Sequence, residues 1–525
     1  MTDHNATKRE ASVTRQELLE AVVLAAVFLL LYVITRTRHF GGDDTVFALV
    51  VQRWLEVGSV ERVLLHPHHL LYNPLVAACS WFVRALTGSV FVLDVGAAVS
   101  GAAAAAAVAG VYLVLRRYRV DENFALLTSV VLGVSGGMWR YATRIEVYPL
   151  AAAGVVVWLA VMSNPSASWK RLAAGFAAPW LGHSVLGLLA LPGVWLHRRR
   201  PPVLAKAVGA GLVAPATVVV GFLAWLDGAR SVSAVTSIVI GPGSGRWLSL
   251  PDPLAALAAL RGLVALQAYH ALPVYSQWVM TLFDALGALV TIVLAALVVW
   301  GTVVTIRDKN RLGVVAALGI ASLVPLWLVW DVGNSEHAVA ASPLFAALVA
   351  LGASAAGRRI GKLSLAAVAT MLLIVNGLGS ALLGTQPNLS RTLLVADFVH
   401  ETVPEGGALV TIGVDPELRL ALPHLGGRRV IDLTSIVHSA RRAGATPREA
   451  LGRWLQLASA ADGTWMLEDP GSTVTEQWIV ELGVPKEAWW RARSMLRLGP
   501  GATLEADDVV IRQSITLHRL EVESD

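Results

Sequence analysis

Two adjacent carboxylates, Asp43 and Asp44, follow the first long apolar segment in the stretch GGDDTVFALVVQRW (41–54). A carboxylate beside glycines, where backbone and ligand can approach closely, can act as a general base or bind a divalent cation. The alternative is structural, because an acidic cap at Asp44 would satisfy free amides of an amphipathic helix 45–57 and suit its dipole. The pair therefore has one chemical and one structural interpretation.

A second group of ionisable residues lies in the stretch WRYATRIEVYPL (139–150). Glu146 falls at a predicted turn between two apolar segments, and Arg140 and Arg144 end the segment before it. Ionisable groups near membrane depth are costly and often mark a functional site. The alternative is a plain Arg–Glu surface pair, which contributes well under about 1 kcal/mol.

Histidines form the third group. Three of them stand within four positions of LHPHHLLYNPL (65–75) and could ligate a metal such as zinc. Pro67 imposes an extended backbone there, and a closed structural site would need further ligands, so a turn that returns the chain to the membrane is favoured. His183, in PWLGHSVLG, is alone among apolar neighbours, which is more typical of a core histidine than of a catalyst.

Two weaker signals remain. The glycines and Arg246 of GPGSGRW (241–247) could cradle a phosphate through backbone amides, although their spacing is not that of a Walker A motif. The stretch NSEH (334–337) predicts a helix cap at Asn334 or Ser335, with Glu336 directly behind it.

The composition places all these residues in a membrane protein. The 525 residues are 55% hydrophobic and 15% charged, with a mean hydropathy of +0.61, whereas soluble domains are roughly 45–50% apolar and about 25% charged. The single cysteine, Cys79, excludes an intramolecular disulfide and disfavours a thiolate metal cluster. A net charge of +5 fits arginines in loops that orient helices, and no nucleic-acid partner is expected.

Apolar segments predict a polytopic α-helical protein with about 11 transmembrane helices. They cover 19–36, 91–115, 124–140, 147–163, 171–182, 184–197, 203–226, 278–305, 312–330, 336–356 and 362–384. Residues 1–18 are polar, and the first segment lacks a small-residue cleavage site, so it is predicted to be an uncleaved span. The two short segments around His183 are interpreted as a tilted hairpin.

Five basic clusters predict the orientation in the cell membrane. They lie at 116–119, 169–171, 197–200, 307–311 and 357–359. All five are cytoplasmic if the tail 1–18 is cytoplasmic and 91–115 is the second span. A first outer loop (37–90), with 44–57 and 68–87 in or dipping into the outer leaflet, and a long outer loop (227–277) are then extracytoplasmic. This topology brings several polar candidates to one face: Asp43, Asp44, Glu146, His183, Arg246 and Glu336.

Residues 385–525 change character, because charges return and apolar runs shorten. Strands are predicted at 407–413, 428–433 and 463–468, and helices at 446–459 and 475–482. The alternation predicts a small extracytoplasmic α/β domain with a parallel sheet.

Together these motifs resemble the GT-C superfamily of membrane glycosyltransferases, and most closely its protein O-mannosyltransferase-like branch. The segments that carry the resemblance are GGDDTVF (41–47), HPHHLLYNPL (66–75), WRYATRIEVYPL (139–150), GHS (182–184) and DPELRLALPHLGGRRVIDL (415–433). They span most of the chain, although each motif is short. HPHH replaces the family's H-P-P-G, and GHS lacks the Asn of its N-H, so the identity of the substrates is left open.

The resemblance implies transfer of a sugar, mannose or similar, from a polyprenyl-phosphate donor to a hydroxyl of a protein, lipid or glycan acceptor on the extracytoplasmic face. Inversion by a carboxylate base is implied, with Asp43, which aligns with the family's G-D, or Asp44 as that base. Glu146 matches a second acid that positions the acceptor or holds an optional divalent cation; no other cofactor is implied. Arg140, Arg144 and Arg246 are candidates to neutralise the leaving phosphate. The remaining candidate substrate-binding residues are His66, His69, Tyr72, Tyr148, His183, Glu336 and His337.

Two other classes of function compete with this interpretation. A transporter or lipid-carrier flippase would place polar sites near mid-membrane in matched halves, whereas here the acids are predicted on one face and no matched halves are visible. A non-catalytic scaffold, whose outer domain binds envelope partners, would tolerate the substitution Asp43→Asn.

Overall fold

The structure is a computed structural model. It describes residues 13–40, 42–57, 64, 70–226, 267, 277–329, 336–411, 418, 421–422, 425, 427–433, 436–437, 440, 444–459, 463–468, 483–485, 487–489, 491, 496–505 and 515–522. The helices are α1 (Arg15–Ile34), α2 (Gly42–Val57), α3 (Tyr72–Thr87), α4 (Val92–Arg117), α5 (Glu122–Val134), α6 (Gly136–Ala142), α7 (Tyr148–Met162), α8 (Trp169–Gly182), α9 (Ala190–His197), α10 (Pro201–Val208), α11 (Ala214–Leu226), α12 (Gln277–Asp308), α13 (Arg311–Val329), α14 (Glu336–Ala355), α15 (Arg358–Asn376), α16 (Arg391–Thr402) and α17 (Pro447–Ser459).

The chain divides into two compact units. The membrane unit comprises residues 1–36 and 50–383, and the C-terminal unit comprises 37–49 and 384–525. The second boundary coincides with the predicted end of the spans. The first differs from the prediction, because residues 37–49 do not group with the rest of the outer loop 37–90. The Arg38 N–H donates to the Gly384 carbonyl at 2.6 Å, which joins this segment to the start of the C-terminal unit.

The membrane unit is a multi-pass helical body. Within the described residues, six helical segments are long and apolar enough to cross a membrane: Arg15–Ile34, Val92–Arg117, Pro201–Phe222, Gln277–Asp308, Ala338–Ala355 and Arg358–Gly384. Four shorter apolar helices lie at Glu122–Val134, Tyr148–Met162, Ser184–His197 and Arg311–Pro325. The bounds follow the predicted segments closely, because each is set by the length of an apolar run.

One predicted span, 124–140, is wrong as a single helix. Ser135 takes an extended conformation and its hydroxyl donates to the Leu132 carbonyl at 2.8 Å, which ends α5. Gly136 then begins the short helix α6. A hydroxyl side chain that bonds to the backbone competes with the helical hydrogen-bond ladder, which explains the break. As a result, residues 139–142 form an element separate from the span.

The C-terminal unit contains a five-stranded sheet in the order β2-β1-β3-β5-β4. Its strands are β1 (Ala408–Thr411), β2 (Arg429–Asp432), β3 (Trp465–Glu468), β4 (Leu496–Leu504) and β5 (Ile515–Val522). β1 pairs in parallel with β2 and β3, but β5 pairs antiparallel with both β3 and β4. The three predicted strands are present, and the expected parallel sheet is corrected to a mixed one. The predicted helix 475–482 lies outside the described residues.

Both faces of this sheet are covered. Val410 joins a core with Ile431 and with Trp454 of α17, whereas Leu409 joins a second core with Val395 and Val399 of α16. Adjacent residues of a strand point to opposite faces, so the two cores lie on opposite sides of the sheet. The unit is therefore a three-layer α/β/α domain with its own hydrophobic interior.

Candidate active site

The stretch that the sequence analysis singled out, residues 139–150, forms α6, a turn at 143–147 and the start of α7. The Thr143 hydroxyl donates to the Arg140 carbonyl at 3.0 Å and lies 3.1 Å from that of Trp139, which closes α6. Pro149, in the first turn of α7, suits a helix start because no N–H is needed there. The Trp139 indole donates to the Thr35 hydroxyl at the end of α1 at 2.8 Å. Glu146 is thus placed in a turn held at both ends.

The backbone of Glu146 is bound to α4 by one buried hydroxyl. The Glu146 N–H donates to Ser100 Oγ at 3.1 Å, and the Glu146 carbonyl lies 2.9 Å from the same oxygen. The Tyr72 hydroxyl lies 2.7 Å from Ser100 Oγ. Gly96 allows the close approach, since a Cβ there would lie 2.4 Å from the Ile145 side chain. Tyr72 is fully buried, and these contacts favour a role in supporting the turn rather than in facing a ligand.

Glu336, the first residue of α14, accepts two hydrogen bonds from phenols. The Tyr141 hydroxyl donates to Oε1 at 3.1 Å, and the Tyr148 hydroxyl donates to Oε2 at 3.2 Å. The two tyrosine rings meet edge to face, with centroids 5.3 Å apart. One carboxylate therefore joins α6, α7 and α14.

His183 is stacked on Tyr148. Their ring centroids are 5.7 Å apart at an interplanar angle of 20°. The Val185 N–H donates to His183 Nδ1 at 3.3 Å, so a neutral ring carries its proton on Nε2. The histidine lies between α8 and the 3-10 helix Ser184–Leu189, at the predicted hairpin tip, and is 4% exposed.

Charges of both signs surround Tyr141. The Arg140 guanidinium lies over its ring, 5.2 Å from the centroid. Burial raises the pKa of Tyr141 well above its usual range. The negative charges of Glu336 and Glu146 raise this pKa further, whereas the positive charges of Arg140 and Arg144 lower it. The phenol therefore stays protonated and remains a hydrogen-bond donor. We refer to Arg140, Tyr141, Arg144, Glu146, Tyr148, His183 and Glu336 as the polar cluster.

This arrangement can bind an anion and a hydroxyl compound side by side. Arg140 and Arg144 are half-buried, and partly desolvated guanidiniums interact strongly with phosphate oxygens. The Glu146 side chain, 6% exposed, can accept a hydrogen bond from a hydroxyl. Six of the predicted site residues meet in the cluster. Sequence reasoning missed Tyr141, although it occurs in the same motif as Glu146 and shares its aromatic type with Tyr148.

The structure describes only some of the other predicted site residues. Asp44 belongs to the C-terminal unit and is buried, 1% exposed. Helix α2 begins at Gly42, so Asp44 lies inside its first turn rather than at the cap. His66, His69 and Arg246 lie outside the described residues, as do the side chains of Asp43 and His337. Among the residues that are described, no group of three or more His, Cys, Asp or Glu side chains could hold a metal ion.

No protein-family model matches the chain, and no curated protein matches it. Solved structures, in contrast, match the chain in fold. ArnT from Cupriavidus metallidurans in the apo state superposes with a TM-score of 0.61 and 13% identity, over 96% of this chain and 98% of that one. The same protein bound to undecaprenyl phosphate superposes with a TM-score of 0.59 and 11% identity, over 95% of this chain and 97% of that one. This chain has the GT-C glycosyltransferase fold.

The GT-C fold predicted from the motifs is thus confirmed at the level of architecture. The Saccharomyces cerevisiae protein O-mannosyltransferase Pmt1–Pmt2 complex, bound to the sugar donor, matches with a TM-score of 0.34 and 15% identity, over 46% of this chain and 36% of that one. A score of that size does not establish a shared fold. The O-mannosyltransferase-like branch of the GT-C superfamily therefore stays a prediction.

Proposed function

We propose that this protein transfers a sugar from a polyprenyl-phosphate donor to an acceptor hydroxyl on the extracytoplasmic face of the cell membrane. The acceptor oxygen attacks the anomeric carbon as the bond from that carbon to the phosphate oxygen breaks. The hydroxyl proton passes to a carboxylate, and the lipid phosphate leaves with the bonding electrons. Attack from the face opposite the leaving group inverts the configuration of the sugar.

The residues take separate roles in this reaction. Asp43 or Asp44 is the general base, and Asp43 is favoured because it aligns with the G-D of the family motif. Arg140 and Arg144 neutralise the charge that develops on the phosphate, a contribution that is large in a partly water-excluded site. Glu146 positions the acceptor hydroxyl or holds an optional divalent cation. The polar cluster supports the roles of Arg140, Arg144 and Glu146, since it brings two guanidiniums and two carboxylates together around Tyr141.

The observation that carries the proposal is the polar cluster in this particular fold. ArnT, which matches over nearly the whole length of both chains, has been seen with undecaprenyl phosphate bound. A phosphate-bearing lipid needs cationic side chains beside an apolar surface, and Arg140 and Arg144 satisfy that need. A transporter or an envelope scaffold does not need a carboxylate base, so the substitutions below separate these classes.

The test is a transfer assay with the purified full-length protein. Undecaprenyl phosphates carrying radiolabelled mannose, glucose or galactose are mixed with membranes that contain endogenous acceptors, and loss of label from the lipid fraction is measured. Removing a general base or an acceptor-positioning acid costs roughly 100-fold or more in rate, so Asp43→Asn or Asp44→Asn, and Glu146→Gln, should lose at least that much.

Two matched controls test whether loss of a carboxylate outside the site also lowers the transfer rate. Asp397→Asn and Glu122→Gln change exposed carboxylates of α16 and α5 that lie outside the polar cluster, and they should transfer at the wild-type rate. Transfer at full rate by all three site variants would remove the assigned roles. Absence of transfer from every donor by the folded wild type would contradict the proposed reaction.

A further inference from the structure

The membrane unit carries a group of basic residues that sugar transfer does not use. Between Glu146 and Asp227 the sequence contains six Lys and Arg residues and no Asp or Glu. All six lie in or directly before α8 and α10. We refer to them as the basic surface: Lys170, Arg171, Arg198, Arg199, Arg200 and Lys206. Five of these side chains are exposed, and that of Arg200 is half-buried.

The fold brings the two basic segments together. The Arg200 guanidinium donates to the Pro165 and Ala167 carbonyls, both at 2.9 Å, and so binds the loop that leads into α8. The continuation of α10 packs closely on α8, since a Cβ at Gly211 would lie 2.4 Å from the Ala173 carbonyl oxygen. The residues before α10 are therefore neighbours of those that begin α8.

The basic surface is remote from the polar cluster. Helix α7 begins at Tyr148, and its 15 residues rise about 22 Å to Met162. The loop that Arg200 binds follows directly after α7. The basic surface and the candidate active site thus lie at opposite ends of α7.

The basic surface differs from the other basic clusters in having no acidic partner. The pairs elsewhere are Arg116 with Glu17 at 3.1 Å, Lys362 with Asp121 at 3.7 Å and Arg307 with Asp308 at 2.7 Å. Within the described ranges, no carboxylate forms an ion pair with any of the six residues of the basic surface. Their cations also lie near the positive ends of the α8 and α10 dipoles, where an anion would be stabilising. The described chain leaves this positive charge unbalanced.

One face of α9 joins the basic surface to an apolar strip. Leu191, Val194, Trp195 and Arg198 have the spacing of residues on a single helix face. The first three are 67%, 37% and 50% exposed, so in a membrane they face acyl chains. The Arg198 guanidinium lies over the Trp195 ring, 4.2 Å from its centroid. Because exposed tryptophans are typical of the headgroup level, this face changes from acyl contact to cation at the depth of a lipid phosphate.

We propose that the basic surface binds the headgroup of an anionic phospholipid, whose acyl chain lies along Leu191, Val194 and Trp195. The lipid supplies the negative charge that the chain lacks there. Exposed Arg198 and Arg199 suit this role, because a guanidinium presents several N–H donors to phosphate oxygens. The inference goes beyond sugar transfer, since it concerns the end of the membrane unit opposite the polar cluster.

The test is lipid retention by the purified full-length protein. Protein in an uncharged detergent is mixed with equal amounts of dioleoyl phosphatidylglycerol and dioleoyl phosphatidylcholine, and bound lipids are counted by native mass spectrometry. We expect phosphatidylglycerol to be retained in preference. Equal retention of the two lipids would overturn the proposal. Displacement of phosphatidylglycerol by an equal amount of inorganic phosphate would indicate a site for a soluble anion and would also overturn it.

A matched pair of double variants tests the position of the headgroup. Each basic side chain near an anionic surface contributes roughly fivefold in affinity, so Arg198→Gln with Arg199→Gln should lower phosphatidylglycerol retention about 30-fold. Arg307→Gln with Lys309→Gln removes the same charge beside Asp308, also from exposed positions, and should retain lipid like the wild type. Arg198→Lys with Arg199→Lys should keep most of the retention. Equal losses in the two Gln variants would contradict the site.

A second matched pair tests contact with the acyl chain. Trp195→Ala leaves every charge of the basic surface in place and should lower phosphatidylglycerol retention severalfold. Trp278→Ala removes a tryptophan of α12 that is 70% exposed and should have no effect. Wild-type retention by Trp195→Ala would show that a lipid does not lie along α9. None of these readouts needs sugar transfer, so failure of the transfer assay and failure of the lipid site are distinguishable.

Discussion

At the scale of single residues, Glu336 joins three elements of the polar cluster. Both of its carboxylate oxygens accept phenolic hydrogen bonds, and the two tyrosines in turn contact Arg140 and His183. Those bonds favour a positioning role for Glu336 and Tyr148 over direct contact with the sugar. Hydrogen bonds to charged groups are stronger than neutral ones, which suits such a role.

We therefore expect Tyr148→Phe and Tyr141→Phe to lower kcat/KM for sugar transfer. A hydrogen bond to a charged group contributes about 1.5–3 kcal/mol, so each loss should reduce kcat/KM by roughly 10- to 100-fold if the bond persists in the transition state. Because a positioning residue acts through its neighbours, kcat should fall more than KM rises. Steady-state kinetics with a lipid-linked sugar donor measures both.

The chain offers a control for a phenol–carboxylate bond. Tyr112 of α4 donates to Glu20 of α1, away from the polar cluster. Tyr112→Phe removes a similar bond and should leave kcat/KM unchanged. If all three variants lose activity together, the effect is on folding and the positioning role is not supported.

At the scale of elements, α7 and α8 hold Tyr148 and His183 together by close backbone packing. A Cβ at Gly154 would lie 2.5 Å from the Ala178 carbonyl oxygen, and one at Gly182 would lie 2.7 Å from Ala151 Cα. Small residues allow such contact, which is a main source of helix association in membranes. The seam runs to the end of α8, directly before His183.

Gly154→Ala should separate the two helices. Its Cβ meets backbone atoms that cannot turn away, so we expect a loss of about 1–3 kcal/mol in stability from overpacking. The same substitution at Gly221 of α11, where nothing lies within 4 Å of the added atom, should be neutral or stabilise by up to about 1 kcal/mol through helix propensity. Thermal unfolding in detergent compares the two. A higher melting temperature for Gly154→Ala would contradict the packing described.

At the scale of the whole molecule, each unit has its own fully buried tryptophan. Trp158 of α7 donates to the Leu189 carbonyl at 3.1 Å in the membrane unit. Trp454 of α17 donates to the Ile431 carbonyl at 3.3 Å in the C-terminal unit and packs against Trp489. Units with separate cores can unfold in separate transitions.

We predict that Trp454→Ala lowers the stability of one transition and leaves the other in place. The cavity created costs about 3–5 kcal/mol, enough to abolish most of the stability of a small domain. Trp158→Ala should affect the other transition in the same way. Calorimetry and limited proteolysis of the full chain distinguish the outcomes, and a single transition shifted equally by both substitutions would show that the units unfold as one.

The sequence by itself determined most of the long apolar helices, three strands of the sheet and the stretch 139–150, which carries five residues of the polar cluster. These features are local: an apolar run of sufficient length must form a helix in lipid, and a motif occupies one turn wherever the helices lie. The resemblance also led to the correct fold. The orientation in the membrane and the catalytic roles stay predictions.

Only the tertiary structure decided which side chains meet. Tyr141 and Glu336 are 195 positions apart, and their bond depends on the rotation of two helices, which hydropathy does not specify. Nothing in the sequence marks Ser135 as a helix end, which follows from the hydrogen bond between its hydroxyl and the α5 backbone. The antiparallel pairing of β5 likewise depends on long-range contacts with β3 and β4. Composition determines which segments of a chain cross the bilayer, whereas packing between distant segments determines which side chains meet at the ends of those helices.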